Sequence, residues 1–275
     1  MKAIKLYYFV KTPNFGDMLS ADLIDFLSGK KVMHAKVQHC DCIGIGSLLE
    51  GVMQRKQSKL KKLLVKIKPK AYVWGTGFIE SEKSVWLKPR RRLKVCAVRG
   101  KYSRERLGRY TKQDLTNVVL GDPGLLANRL IDVSKIKKKY KLGIIPHYID
   151  KDNPLLKNIQ VENSILIDIQ QKPEVVLQQI AECENIISSA MHGLIASDSL
   201  GVPNVRMEVS DKICGGDYKF IDYYSAFDMD MPEKLIITPD TKITNVDFIK
   251  EQYKITPDRV EKICQNLLRV FPYKK

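Results

Sequence analysis

The sequence predicts an α/β protein made of two parallel β-sheets that are covered by helices. Short, almost continuously apolar segments alternate with helical patterns through most of the 275 residues. Such strands are typical of parallel sheets that are buried on both faces. The alternation restarts near residue 140, after a lysine-rich link over residues 135–141. This restart indicates two Rossmann-like halves, and a hydrophobic content of 44% is enough for a sizeable core.

Five strands are predicted in the first half, each by a short apolar run. They cover residues 4–10, 42–48, 71–74, 93–98 and 117–120. A helix is expected after residues 14–17, because apolar side chains follow there at helical spacing. Its apolar residues are Leu19, Leu23, Ile24, Phe26 and Leu27. A second, polar helix is expected from about residue 101 to 107.

The second half repeats this pattern. Strands are predicted over residues 142–145, 164–169, 185–188 and 202–207, with helices over 173–182, 193–200 and 217–226. A last helix begins near Pro257, because its apolar residues recur three and four positions apart. They are Val260, Ile263, Cys264, Leu267, Leu268 and Phe271.

The net charge of +16 predicts an anionic partner. One basic cluster lies within residues 55–70 and comprises Arg55, Lys56, Lys59, Lys61, Lys62, Lys66, Lys68 and Lys70. Interspersed apolar residues make it an amphipathic helix, which either docks on an anionic membrane or packs its apolar stripe on the core. A second cluster, Lys88, Arg90, Arg91, Arg92 and Lys94, either holds a phosphate or lies in a solvated loop. Nucleic acid is a weaker candidate, because aromatic residues do not interleave with these clusters.

The sequence contains no membrane-spanning, secretory, nucleotide-binding or metal-binding signature. No segment approaches the roughly 20 apolar residues of a membrane span, and none is typical of a signal peptide. We therefore expect a cytoplasmic protein, soluble or bound at a membrane surface. The six cysteines are expected to be reduced and buried. There is no Walker A sequence, no GxGxxG fingerprint and no metal-ligand spacing, so no metal or cofactor is predicted.

Polar residues and glycines recur where predicted strands end, which is where α/β folds bind ligands. His192 follows a strand and opens a helix, so it either moves protons and binds an anion or only caps the helix. Arg99 closes another strand and is either a fork for a carboxylate or phosphate or a surface arginine. Asp17 is a helix cap, a hydroxyl ligand or a base. Asp122 and His147 have ligand and structural alternatives, and for Asp122 the alternative is a helix cap before a proline.

These segments occur in a characteristic order along the chain. They are residues 14–17 (NFGD), 44–47 (GIGS), 74–78 (WGTGF), 98–103 (VRGKYS), 121–123 (GDP) and 191–203 (MHG to GVP). Together they resemble the polysaccharide pyruvyl transferase family over about residues 4–228. The resemblance implies a GT-B-like fold, with two Rossmann-like domains facing each other across a cleft. It also implies transfer of pyruvate from phosphoenolpyruvate to two hydroxyls of a sugar, as a ketal.

This resemblance implies an organisation and a biological setting. Residues 1–133 would form an acceptor domain, residues 134–255 a donor domain, and residues 256–275 a helix that returns to the first domain. The setting is capsular or exopolysaccharide biosynthesis at the inner face of the plasma membrane, with a lipid-diphosphate-linked saccharide as acceptor. Phosphoenolpyruvate is then a substrate and no cofactor is needed. The alternatives are a nucleotide-sugar glycosyltransferase of similar fold, and a non-catalytic basic binding protein.

The same resemblance assigns site residues. The catalytic candidates are His192 and Asp17. The donor-binding candidates are Arg99, Ser189, Met191, His192, Gly193 and Arg206, and the acceptor-binding candidates are Asn14, Asp17, Gly75, Thr76 and His147. One position departs from the family pattern: some members have an arginine two residues before the histidine, where this chain has Ala190. Arg206 or one of the arginines at 90–92 is expected to supply the missing positive charge.

Overall fold

A computed structural model describes residues 3–54, 69–81 and 87–274. The first half contains eight short strands in the described ranges: β1 (Ile4–Tyr7), β2 (Val32–His34), β3 (Cys42–Ile43), β4 (Met53–Gln54), β5 (Ala71–Trp74), β6 (Lys88–Pro89), β7 (Leu93–Val98) and β8 (Val119–Leu120). Six of them form the first sheet, in the order β2-β1-β3-β5-β7-β8, and every pair is parallel. The other two, β4 and β6, form an antiparallel ribbon.

Three α-helices accompany the first sheet in the described ranges: α1 (Phe15–Ser28), α2 (Leu49–Val52) and α3 (Lys101–Thr111). Helix α1 buries Leu19, Leu23 and Ile24 as the periodicity predicts, whereas Phe26 is exposed. It ends at Gly29, whose left-handed backbone (φ 62°) suits a residue without a Cβ. A 3₁₀-helix, Pro123–Arg129, follows β8.

The second sheet is also parallel throughout. Its strands are β9 (Leu142–Ile145), β10 (Ser164–Leu166), β11 (Ile186–Ser188), β12 (Asn204–Glu208) and β13 (Leu235–Ile236), in the order β10-β9-β11-β12-β13. Its helices are α4 (Pro173–Ala181), α5 (Met191–Ser199), α6 (Tyr218–Ser225) and α7 (Asp247–Gln252). The predicted α/β fold with Rossmann-like parallel sheets is therefore confirmed.

One hydrophobic core runs through both sheets. It includes Phe15 and Trp74 from the first half and Ile145 and Leu194 from the second. The last helix, α8 (Pro257–Arg269), contributes Leu267 to the same core, and the carbonyl of Leu267 accepts a 3.0 Å hydrogen bond from Trp74 Nε1. Helix α8 thus packs against the first half of the chain. The predicted domain boundaries at residues 133 and 255 remain predictions.

The structure differs from the sequence prediction where elements are short. The strand predicted over residues 42–48 ends at Ile43, because the chain turns through Gly46 with φ +113°. Strands β2 and β13, the β4–β6 ribbon and helix α7 were not predicted; they are too short to show a period. The predicted basic helix lies almost wholly in residues 55–68, outside the described residues.

The expectation of six buried cysteines is wrong for two of them. All six are free thiols, but Cys96 is half-buried and Cys214 is exposed. Cys96 lies on β7 and Cys214 lies in the loop between β12 and α6. Among the described residues, no helix is both long and apolar enough to cross a bilayer.

Candidate functional site

A pocket of about 390 Å³ lies between the two sheets, where several strands end. We call it the central pocket. Its polar lining from the first half comprises Tyr7, Asn14, Asp17, Ser47 and Glu50. The second half contributes His147, Tyr148, His192, Cys214 and Lys219. Because each half supplies part of the lining, the pocket exists only when the two sheets are packed together.

The N-terminus of helix α5 faces this pocket. Residues 190–193 all line it, and His192 is the second residue of the helix. No side chain caps this helix end. Unpaired N–H groups and the helix dipole favour an anion at such a position. Met191, His192 and Gly193, three of the predicted donor residues, are therefore together at one wall.

His192 packs directly against Gly16 of the opposite half. A Cβ at residue 16 would overlap the imidazole ring. Residue 16 of the NFGD segment must therefore be a glycine, because the imidazole of His192 occupies the space that any larger side chain would need. The contact also fixes the ring orientation, and Nδ1 is the nitrogen nearest to residue 16.

The other ring nitrogen of His192 faces Asp122. His192 Nε2 and Asp122 Oδ2 are 3.9 Å apart, and both atoms are buried without a hydrogen-bond partner in the described part of the chain. Burial lowers the pKa of His192 to about 3, assisted by Arg99 and Lys219. Burial raises the pKa of Asp122 to about 7. At 3.9 Å they do not form a hydrogen bond, and one shared proton would satisfy both only if they approached by about 1 Å.

Asp122 also acts as the predicted helix cap. Its Oδ1 accepts a 2.9 Å hydrogen bond from the N–H of Gly124, and Pro123 begins the 3₁₀-helix. The capping prediction for Asp122 is confirmed, but it accounts for only one carboxylate oxygen. The second oxygen faces His192, and no motif in the sequence indicates this arrangement.

Asp17 lies inside helix α1 and is nearly buried. It is the third residue of the helix, so the interpretation of Asp17 as the helix cap is wrong; Asn14 occupies that position. Asp17 Oδ1 accepts from the N–H of Phe9 at 3.0 Å, and Oδ2 accepts from Asn14 Nδ2 at 3.2 Å. Burial raises its pKa to about 6. Asn14 thus orients a carboxylate that changes protonation near neutral pH.

Arg99 does not line the central pocket, and it is not a surface arginine either. Its side chain is fully buried. Nε donates to Asp222 Oδ2 at 2.9 Å, Nη1 donates to Ser47 Oγ at 2.7 Å, and Nη2 donates to the carbonyl of Phe78. Ser47 does line the pocket. Arg99 therefore reaches the pocket through Ser47 and through its positive charge.

Four further candidates also lie away from the pocket or have a structural task. Arg206 donates to Asp217 at 2.6 Å and stacks 3.8 Å over the Phe220 ring, outside the central pocket. Ser189 Oγ accepts from the N–H of His147, which fixes the His147 loop. Thr76 is buried and bridges the Gly46 carbonyl and the Leu48 N–H. Gly75 packs against Pro123, so a Cβ would not fit there.

The arginines at 90–92 do not line the central pocket either. Arg90 Nε donates to the carbonyl of Met53, which anchors the chain after β6 to the β4 strand. Arg91 is buried, and its guanidinium donates to the carbonyls of Val37 and Pro69. Arg91 and Arg92 line a separate surface depression. Arg206 and the arginines at 90–92, the cations suggested in place of the arginine absent at Ala190, therefore do not line the central pocket, and their role stays a prediction.

Among the described residues, Lys219 is the lysine or arginine that lines the pocket, and sequence reasoning missed it. It is the second residue of α6 and is 6% exposed. Burial is the main reason that its pKa falls to about 8. Its charge in turn helps burial to lower the pKa of His147, another pocket residue, to about 4. Within the described ranges, no three His, Cys, Asp or Glu side chains converge as metal ligands.

Comparison with known proteins identifies the family of this chain. The family model described as polysaccharide pyruvyl transferase matches residues 4–211, which include every motif of the first sheet and the α5 N-terminus. The chain is also 32% identical over 233 residues to an uncharacterized protein of Acanthamoeba polyphaga mimivirus, an alignment covering 82% of this chain and 75% of that protein. The match covers most of the chain and contains His192, Asp17 and Asp122. The chain therefore belongs to the polysaccharide pyruvyl transferase family, a family of transferases.

Proposed function

We propose that this protein transfers pyruvate from phosphoenolpyruvate to two hydroxyls of a sugar, forming a ketal and releasing phosphate. The observation that carries the proposal is one pocket that combines an uncapped helix N-terminus with His192 and Asp17, from opposite halves of the chain. An enol phosphate that reacts with two hydroxyls needs anion binding, an acid and a base. The central pocket offers all three.

The negatively charged groups of the donor bind, in this proposal, at the N-terminus of α5. Met191, His192 and Gly193 present the helix terminus there, and Ser47 lies beside it. The guanidinium of Arg99, which donates to Ser47, keeps that hydroxyl oriented and adds positive potential behind the wall. Preorganised donors of this kind stabilise developing charge more effectively than water does.

His192 is the acid in this proposal, with Asp122 as its positioning partner. Both groups favour their neutral forms, so in this proposal a protonated Asp122 donates to Nε2 and His192 carries its own proton on Nδ1. His192 then protonates the methylene carbon of the donor through Nδ1, while the Asp122 proton passes to Nε2. A closing movement of about 1 Å brings Nε2 and Oδ2 within hydrogen-bond distance.

Asp17 is the base. The first sugar hydroxyl gives its proton to Asp17 and attacks the donor carbon that carries the phosphate. Phosphate leaves, and the second hydroxyl closes the ketal. Of the two hydroxyl protons released, one balances the proton added to the methylene carbon and the other leaves with phosphate. A carboxylate with a pKa of about 6 is well matched to this task near neutral pH.

The acceptor is proposed to be a lipid-diphosphate-linked saccharide in capsular or exopolysaccharide biosynthesis. Asn14 and His147 line the pocket near its mouth, where Phe9 and Ile149 also lie and are exposed. The basic residues at 55–70 supply the charge that an anionic membrane surface or a diphosphate would attract. This supports a cytoplasmic protein that works at the inner face of the plasma membrane.

The test is release of phosphate from phosphoenolpyruvate with a panel of lipid-diphosphate-linked and lipid-free saccharides. We expect acceptor-dependent release and a product heavier by one pyruvyl ketal. His192→Ala should lower turnover by about 10² to 10⁴. His39→Ala is the matched control, because His39 is exposed and outside the central pocket.

Two results would contradict the proposal. One is a His192→Ala protein that turns over within about threefold of wild type, which is far below the loss expected for an acid. The other is release of nucleotide from a nucleotide sugar, with no phosphate from phosphoenolpyruvate and no binding of that donor. The second result would make the protein a glycosyltransferase.

A further inference from the structure

Lys219 is a buried ammonium without a negative partner among the described residues. Its Nζ makes one long hydrogen bond, 3.5 Å to the carbonyl of Cys214. Burial is the main cause of its lowered pKa, and the charges of Arg99, at the end of β7, and Arg206, on β12, lower it further. The Cys214 thiol acts in the opposite direction, and no carboxylate contributes. Lys219 thus lies in a cationic environment inside the protein.

The two neighbouring arginines are already compensated. Arg99 is paired with Asp222, and Arg206 is paired with Asp217 and Glu208. No carboxylate is therefore left on these pairs to neutralise Lys219. A buried charge without a partner is unfavourable by several kcal/mol, and such groups concentrate at sites where a ligand supplies the missing charge.

The position of Lys219 identifies which ligand this is. The residue lines the same pocket as His192 and the uncapped end of α5. Positions 190 and 219 both line this pocket, so a cation from α6 and a cation from residue 190 would serve the same site. The family model ends at residue 211, so Lys219 lies outside the residues that this model matches.

We propose that Lys219 binds the anionic group of the donor and replaces the arginine that Ala190 lacks. The donor's identity as phosphoenolpyruvate rests on the function proposed above, whereas anion binding by Lys219 does not. The competing explanation is structural: Lys219 would only hold the loop of residues 210–217 through the Cys214 carbonyl. The two explanations predict opposite effects on stability.

The experiment measures binding of phosphoenolpyruvate and of inorganic phosphate by calorimetry, together with the unfolding temperature of the ligand-free protein. The variants are Lys219→Met, Lys219→Arg and the control Lys212→Met. Lys212 is exposed in the loop of residues 210–217 and lies outside the central pocket. Its replacement by methionine removes the same unit of positive charge. We expect Lys219→Met to weaken donor binding by about 10- to 100-fold, as loss of a charge-assisted hydrogen bond does. Lys219→Arg and Lys212→Met should bind close to wild type.

Two further readouts separate ligand binding from a structural role. Lys219→Met should unfold at the same or a higher temperature than wild type without ligand, because it removes an unpaired buried charge. Wild-type affinity should fall as pH rises through about 8, the pKa of Lys219, because the ammonium loses its proton. The donor phosphate is already fully ionised there. Of the groups facing Lys219, Arg99 and Arg206 stay charged at this pH, and His147 and His192 are neutral. The Cys214 thiol is retained in Lys219→Arg, so that substitution should abolish the fall only if Lys219 is its source.

The outcomes of this experiment test the lysine inference and the proposed function separately. If wild type binds phosphoenolpyruvate and Lys219→Met binds it equally well, the lysine inference fails and pyruvyl transfer stands. If wild type binds phosphate through Lys219 but not phosphoenolpyruvate, the lysine inference stands and the proposed function fails. If wild type binds neither anion, both fail. Weaker binding accompanied by a lower unfolding temperature would show that Lys219 is structural.

Discussion

Asp122 uses its two carboxylate oxygens for different purposes. Oδ1 accepts from the N–H of Gly124 and caps a 3₁₀-helix, whereas Oδ2 faces Nε2 of His192. The cap fixes where the carboxylate lies, and the free oxygen then determines which nitrogen of His192 is left for the pocket. Asp122 is thus a positioning residue, because it acts on the reaction only through His192.

Asp122→Asn separates these two tasks. An asparagine oxygen still caps the helix, but the amide cannot exchange a proton with His192. We expect kcat to fall by roughly 10²-fold, with little change in the donor KM or in the unfolding temperature. Steady-state kinetics and thermal unfolding measure these quantities.

Asp132→Asn is the control for this substitution, because Asp132 caps the 3₁₀-helix Val133–Lys135 in the same way at an exposed position. Its kcat should match that of wild type. An Asp122→Asn protein with unchanged kcat would refute the relay. A fall in kcat with an equal fall in stability would assign Asp122 to capping alone.

Single residues were predictable from the sequence where a motif and a strand end coincide. His192 and Asp17 both reach the central pocket as their positions suggested. The buried ion pair of Arg99 could not be predicted, because its partner, Asp222, lies 123 residues further along the chain. This pair holds the guanidinium outside the pocket lining. Lys219 has no motif around it, and only the packing of α6 shows that its charge is uncompensated.

At the scale of elements, β7 and α3 are joined to α6 by a buried ion pair. Asp222 Oδ2 accepts from Arg99 Nε and from Ser103 Oγ, and Oδ1 accepts from the N–H of Ser103. A Cβ at Gly100 would overlap the carbonyl of Asp222, so the glycine of this motif permits the close approach. This cluster connects the two sheets at the side of the pocket.

Asp222→Asn should therefore destabilise the whole protein. It leaves the Arg99 charge buried without a counterion, and we expect the free energy of unfolding to fall by about 3–5 kcal/mol. Urea denaturation measures this change. Asp228→Asn is the control, because the Lys101–Asp228 pair joins α3 to the residues just after α6 but is exposed. That substitution should change stability by less than about 1 kcal/mol. Equal effects of the two substitutions would contradict the prediction.

Long helices and strands were predicted more accurately than short ones. Strand β7 and helix α8 begin at the residues that the periodicity indicated, since several turns or alternations define them. Strand β3 ends before the predicted residue 48 because the chain turns at Gly46, which has a positive φ. A run of apolar residues does not indicate such a turn. The edge strands β2 and β13 contain only three and two residues, too few for any period.

At the scale of the whole molecule, one of three hydrophobic clusters in the described residues spans both sheets, and the other two each lie within one half. Phe15, Trp74, Ile145 and Leu194 belong to one cluster, and the Arg99–Asp222 pair adds a polar connection. The sequence predicted two halves because it shows where the strand pattern restarts. It could not show that their buried faces are shared, since this depends on contacts between residues far apart in the chain.

We expect the two sheets to unfold together in a single transition. Calorimetry should give equal calorimetric and van't Hoff enthalpies, and hydrogen exchange should give similar opening free energies for amides of β7 and β11. The structural reason is that separating the sheets would expose part of the shared core. Two resolved transitions, or a β7 that opens independently of β11, would show that the halves are autonomous domains.

The contact between Trp74 and Leu267 has a consequence for synthesis on the ribosome. The two residues are 193 positions apart. At ordinary elongation rates, roughly 10 to 40 seconds separate their emergence. Throughout that interval the indole of a nascent chain has neither its carbonyl acceptor nor the apolar face of α8. The newly made first sheet therefore leaves apolar surface uncovered, and a chaperone that shields apolar surface can bind there before the last helix is translated.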